Sequence, residues 1–220
     1  MRTSTPLKFR LFRFTVTIAV LIAAVAYLIE SKPVFAAAKS WNGSASSDWN
    51  NGNNWTPVGV PGSADDVTLP AGALPNQPSI TAADVTIHNL TVSSGRTLTI
   101  GTGRILTIDG TVAAVVNNNG GGTVTTGGTG VLRTQGTVSL VELGTFTAAL
   151  QVNTGTTTVT NTSSLDAGSS ITIDAGATLQ AATGSVTTLG NLTNNGTLSG
   201  LAVGIKRGRM RLERWQRPSV

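Results

Sequence analysis

The chain of 220 residues has one histidine and no cysteine, which narrows its reactive chemistry before any fold is considered. His88, in V-T-I-H-N-L-T-V, is the single imidazole that could act as a catalytic base. Strand alternation with Val85 and Ile87 turned inward points it to solvent. Zinc takes several His or Cys ligands, and this chain does not supply them. Hydrolysis of a glycosidic bond needs two carboxyl groups about 5–10 Å apart. Asp166 and Asp174 are eight positions apart and, on repeating short strands, would occupy like corners of adjacent faces rather than one cleft. Arg96 and Arg104 share that disposition. Asp65–Asp66 could offer oxygen to calcium, but adjacent acids ahead of a strand are ordinary turn residues. Gly120–Gly121–Gly122 does not lead from a strand into a helix, so a phosphate cradle is not indicated. The expectation is no catalytic residue, no cofactor and no metal site.

The remaining candidate is aromatic. Trp41, Trp49 and Trp55 lie within fifteen residues, separated by Asn, Gly, Ser and Asp. Each indole buries about 150–250 Å² and wants a partner for its N–H. Two readings stand side by side. The three rings plug the open end of a stacked structure, as terminal repeats must, or they form a platform on which sugar rings stack.

What positions these residues is a repeat. Leu90-Thr91-Val92, Leu98-Thr99-Ile100 and Leu106-Thr107-Ile108 recur at intervals of eight. Apolar–Thr–apolar is the alternation of a half-buried strand, and the Ser, Gly and Thr between copies are turn residues. Apolar positions return at short intervals from Val124 to Leu198, with Gly or Asn in most gaps. The spacing predicts an all-β, right-handed parallel β-helix with a Trp-rich N-terminal cap, three short faces making a rung of about 18–24 residues. The alternative is an antiparallel β-sandwich, whose strands usually recur at about 8–12 residues, longer than most gaps here.

The organisation expected is a signal peptide or N-terminal membrane anchor over 1–38, a Trp-rich cap and connecting loop over 39–83, solenoid repeats over 84–200 and a basic, disordered tail over 201–220. Arg2, Lys8, Arg10 and Arg13 precede the apolar run Phe14 to Ile29, and Ala36-Ala37-Ala38 supplies a small-residue cut site, with the cut expected after Ala38 to leave Lys39 as the new N-terminus. The tail could equally mark a repeat array broken off early. Lys and Arg collect at the two ends. Trp41 to Ile205 holds three basic residues against eight acids, so the net charge of +5 signals no nucleic-acid surface. Expected partners are an extracellular polysaccharide or a cell surface, with the membrane met only through 14–29.

The arrangement W-N-G-(x)5-W-(x)5-W, followed by V-P-G-S-A-D-D-V-T-L-P, resembles the opening of large bacterial surface proteins. These are autotransporter passengers and other β-helical adhesin-like exoproteins, where a Trp-rich start leads into Gly/Thr/Asn-rich repeats. The resemblance covers roughly Trp41 to Gly200. It implies an exported, non-enzymatic stalk or adhesin, with a carbohydrate-binding module or a polysaccharide-active β-helix enzyme as alternatives.

Overall fold

The computed structural model describes residues 37–117, 122–141, 145–160, 165–167, 170–183, 186–188, 190–200, 203–205 and 210–212. The chain divides into Met1–Phe35 and Ala36–Val220, and everything below concerns the second unit. The apolar run 14–29 and the glycine run 120–121 lie outside the described residues.

In chain order, β1 (Ala38–Trp41) is met by β2 (Trp55–Thr56), the only antiparallel pair of strands among the described residues. From β3 (Asp66–Leu69), β4 (Ser79–Ile80) and β5 (Val85–Ile87) onward the chain visits three faces in fixed order, always pairing in parallel. Next come β6 (Asn89–Val92), β7 (Thr97–Ile100) and the long β8 (Ile105–Asn117), whose halves serve two different faces. After β9 (Thr123–Thr126), β10 (Val131–Val141) is divided in the same way. The later rungs use β11 (Thr145–Phe146), β12 (Ala149–Val152), β13 (Thr156–Val159), β14 (Leu165–Ala167) and β15 (Ile171–Ile173). The last are β16 (Thr178–Ala181), β17 (Val186–Thr188), β18 (Leu192–Asn194), β19 (Thr197–Gly200), β20 (Val203–Ile205) and β21 (Met210–Leu212). The result is a parallel β-solenoid of about five turns with no α-helix among the described residues. The antiparallel sandwich is ruled out by the direction of the pairing.

Register explains why the sequence repeats as it does. Each strand hydrogen-bonds to its equivalent one rung away, so side chains stack in columns on the faces. Val85, Leu106, Leu132, Leu150, Ile171 and Leu192 form one inward column. Val67, Leu90, Val116, Leu140, Val159 and Ala181 form another. All twelve are buried, each large aliphatic contributing about 1.5–3 kcal/mol relative to exposure. The three Leu-Thr triplets do not stack on one another. They lie on successive faces, and Leu98 instead stacks on Val124.

Rung length varies. Partners differ by 26 positions from Ile105 to Val131 but by 18 from Val131 to Ala149. The corner between the halves of β8 and β10 admits only glycine. A methyl group on Gly110 would come within 2.5 Å of the carbonyl oxygens of Gln135 and Thr137. Gly136, at φ +71°, would meet the carbonyl of Gly110, and Gly155, also at φ +71°, that of Gly136. Three glycine backbones are thus laid directly over one another.

Two expected boundaries move. The stack does not begin at 84, because β1 and β3 already pair in parallel, Ala38 with Asp66 and Ser40 with Thr68, and β3 continues onto β6. Only the excursion between β1 and β3 is cap. Within the tail expected to be disordered, β20 and β21 extend the ladders of β17 and β18. A shift in composition hid these strands, since parallel pairing is made by backbone groups that any non-proline residue carries.

Candidate functional site

The cap is built around Asn54, which is fully buried at the end of a single 3-10 turn, Gly52–Asn54. Its Oδ1 accepts from the N–H groups of Ala45 and Ser46, and its Nδ2 donates to Ser46 Oγ and to the carbonyl of Asp48. Both donors of the amide and its carbonyl oxygen are therefore engaged, which is what makes a buried amide tolerable. Asn51 caps the same turn by accepting from Asn53 N–H.

Around this anchor the three indoles pack edge to face. Trp41 and Trp55 are 4.9 Å apart at 78°, and Trp49 and Trp55 are 4.7 Å apart at 69°. Trp41 Nε1 donates to the Asn76 carbonyl and Trp55 Nε1 to the Trp49 carbonyl. Their exposures are 1%, 0% and 0%. A sugar needs an open ring face, and none of the three has one. The structure therefore places Trp41, Trp49 and Trp55 in the core as the plug on the first rung, not on a glycan platform.

His88 departs from its expected position. It lies at the corner between β5 and β6 with 19% of its side chain exposed, its Nδ1 3.0 Å from Asp66 Oδ1. Asn89 Nδ2 donates to the same oxygen at 2.7 Å, and Asn89 Oδ1 accepts from Val115 N–H. Asn89 Nδ2 also lies 3.1 Å from His88 Nδ1, so the imidazole, the amide and the carboxylate form one closed cluster. His88 Nε2 is buried and has no hydrogen-bond partner. What is assembled is a His–Asp–Asn brace that ties β3, β6 and β8 together.

The other acids are used similarly. Asp65 accepts from Ala37 N–H through Oδ1 and from Gly62 N–H through Oδ2, so the adjacent Asp65 and Asp66 turn to different partners rather than to one ion. No group of three or more His, Cys, Asp or Glu able to hold a metal occurs among the described residues. Arg104 lies 3.8 Å from Asp84 at the surface, whereas Arg96 is buried at a turn, its Nε and Nη1 without partners. The side chain of Asp166 is outside the described residues.

On the outer surface of the face formed by β10, β12 and β15, polar side chains link rung to rung. Arg133 Nε donates to Gln151 Oε1 at 2.9 Å, and Gln151 Nε2 to Asp174 Oδ2 at 2.7 Å. Alongside, Gln135 Nε2 donates to Asn153 Oδ1 at 2.9 Å, and Asn153 Nδ2 to the same Asp174 oxygen at 2.8 Å. This ladder joins five half-buried residues across three rungs. The signal for it lies in the pairs Arg133-x-Gln135 and Gln151-x-Asn153, which repeat the same outward positions. Only the register shows that these positions are adjacent.

These features define a parallel β-solenoid closed at its N-terminal end by a tryptophan cap. Residues 40–139, the cap and the rungs through most of β10, match a family described as Domain of unknown function (DUF8693). No curated protein and no solved structure matches the chain. Among the described residues no helix is long and apolar enough to cross a membrane.

Proposed function

We propose that the protein is an exported, non-enzymatic exoprotein of the adhesin or stalk kind, presenting the outer faces of its solenoid at or beyond a bacterial cell surface. The observation that carries this reading is how the outward polar groups are employed. Asp66, Asp174, Gln151 and Asn153 each hydrogen-bond to a neighbour one rung away. They brace a rod rather than converge on a cleft. The leader-like sequence of 1–38 supports export, and the scarcity of charge suits a surface of hydroxyls and amides. Recognition then falls to shallow stripes such as the Arg133–Gln151–Asp174 ladder, with no single residue dominating.

The test is location followed by activity. Protease treatment of intact cells producing the full-length chain is expected to digest the protein, and surface labelling to detect it. Confinement to the cytoplasm would remove the proposal. Incubation of the purified protein with neutral and acidic polysaccharides is expected to release neither new reducing ends nor unsaturated products.

A further inference from the structure

Ala37, which immediately precedes β1, sits in a site suited to a free amino terminus. Ala37 N donates to Asp65 Oδ1 at 3.0 Å, and the Ala37 carbonyl accepts from Asp66 N–H at 3.0 Å. Ala38 then pairs with Asp66 and Lys39 with Val67. The nearest cation on the strand is directed elsewhere, since Lys39 Nζ donates to the carbonyls of Pro57 and Val58. No other side-chain cation pairs with Asp65 within 4 Å among the described residues.

We infer that export processing cuts between Ala36 and Ala37, and that the new α-ammonium of Ala37 forms an ion pair with Asp65. The inference rests on the export reading above and adds the site and its structural consequence. Val34-Phe35-Ala36-Ala37-Ala38 offers two cuts with short side chains at the third and first positions before the bond. They fall after Ala36 and after Ala38, whereas a cut after Ala37 puts Phe35 at the third position. The cut after Ala38 deletes the donor to Asp65, the acceptor for Asp66 N–H and one residue of the ladder. The cut after Ala36 deletes none of these. A membrane signal peptidase adds water across the Ala36–Ala37 amide, so Ala36 leaves with the new carboxylate and Ala37 keeps the nitrogen as an ammonium. A bond from an amide N–H to a carboxylate, charge-assisted on the acceptor side alone, thereby becomes an ion pair with both partners charged.

Expression of the full-length chain in an export-competent bacterium, with intact mass and N-terminal sequencing of the protein outside the inner membrane, is the test. A mature chain starting at Ala37 is expected. An exported chain starting at Lys39 would overturn the processing site and leave the export reading intact, as would an exported chain that keeps its first 36 residues. A chain found only in the cytoplasm would overturn both. Mature chains beginning at Ala37 and at Lys39 are then compared by thermal melting, each alone and with Asp65→Ala. The Ala37 form is expected to melt higher, and Asp65→Ala to narrow the difference without closing it, since the acceptor for Asp66 N–H and the ladder residue are untouched by that substitution. Equal melting of the two unsubstituted forms would refute the ion pair.

Discussion

Thr134 and Thr157 meet inside the solenoid, their hydroxyl oxygens 2.7 Å apart and neither side chain exposed. Thr134 interrupts the inward column between Ile108 and Val152, and Thr157 the column between Val138 and Leu179. Each hydroxyl is acceptable there because the other answers it, and Thr134 Oγ1 also donates to the Gln151 carbonyl at 3.4 Å.

The pair makes a double-mutant prediction. Thr134→Val should destabilise by about 1–3 kcal/mol, because it leaves the buried Thr157 hydroxyl unpartnered, and Thr157→Val by less, because Thr134 Oγ1 keeps its bond to the Gln151 carbonyl. The double variant should lie closer to the unsubstituted protein than the sum of the singles, since an apolar pair of similar shape replaces a satisfied polar one. Urea unfolding of the four proteins measures the coupling, and strict additivity would contradict it.

Gly136 and Gly103 separate two costs that glycine positions usually confound. Both have positive φ, +71° and +69°, but a methyl at Gly103 meets nothing within 4 Å while one at Gly136 collides with the Gly110 carbonyl. Gly103→Ala should cost about 1–2 kcal/mol, the left-handed penalty alone. Gly136→Ala should cost clearly more, or prevent folding, because a backbone and not a flexible side chain must give way. Similar melting temperatures for the two variants would show that the corner stack is loose.

The burial of the Trp cluster predicts structural rather than binding phenotypes. Trp49→Ala or Trp55→Ala should destabilise by about 3–5 kcal/mol, the range for removing a large aromatic from a core. Titration of the intact protein with a panel of glycans should leave the emission of these buried indoles unmoved. A glycan-dependent shift lost in Trp49→Phe would restore the platform reading.

How legible this was depended on what each feature is made of. The alternation in Leu90–Val92, Leu98–Ile100 and Leu106–Ile108 records which way side chains point, so strands and buried positions could be read locally. The assignment of Trp41, Trp49 and Trp55 as a plug was also open to sequence reasoning, since polar neighbours around clustered indoles fit a closed cap. Partnership across rungs was not, because successive rungs differ in length. Nothing in the sequence says that Ala38 lies beside Asp66, or Gln135 beside Asn153. His88 shows the limit of alternation, for it stands at a corner, where the period of two no longer applies.

The outer ladder should behave as a surface. Gln151→Ala is expected to cost less than about 1 kcal/mol, because its bonds to Arg133 and Asp174 are partly replaced by water, whereas Leu132→Ala on the inward side should cost about 2–5 kcal/mol. Comparing the two by chemical denaturation tests whether stability resides in the dry columns. A larger loss in Gln151→Ala would show that the polar ladder, not the interior, holds the rungs together.

The reversed strand β2 gives the molecule a direction of growth. Lying against β1 with opposite polarity, it turns the first edge of the sheet into a dead end for parallel pairing. Duplicated coils grafted upstream of Ala38 would meet a reversed strand over Ser40 and Trp41, whereas coils inserted downstream would meet the parallel pattern already in use. Lengthening the solenoid by repeat insertion is therefore easier to accommodate downstream of the tryptophan end than across it.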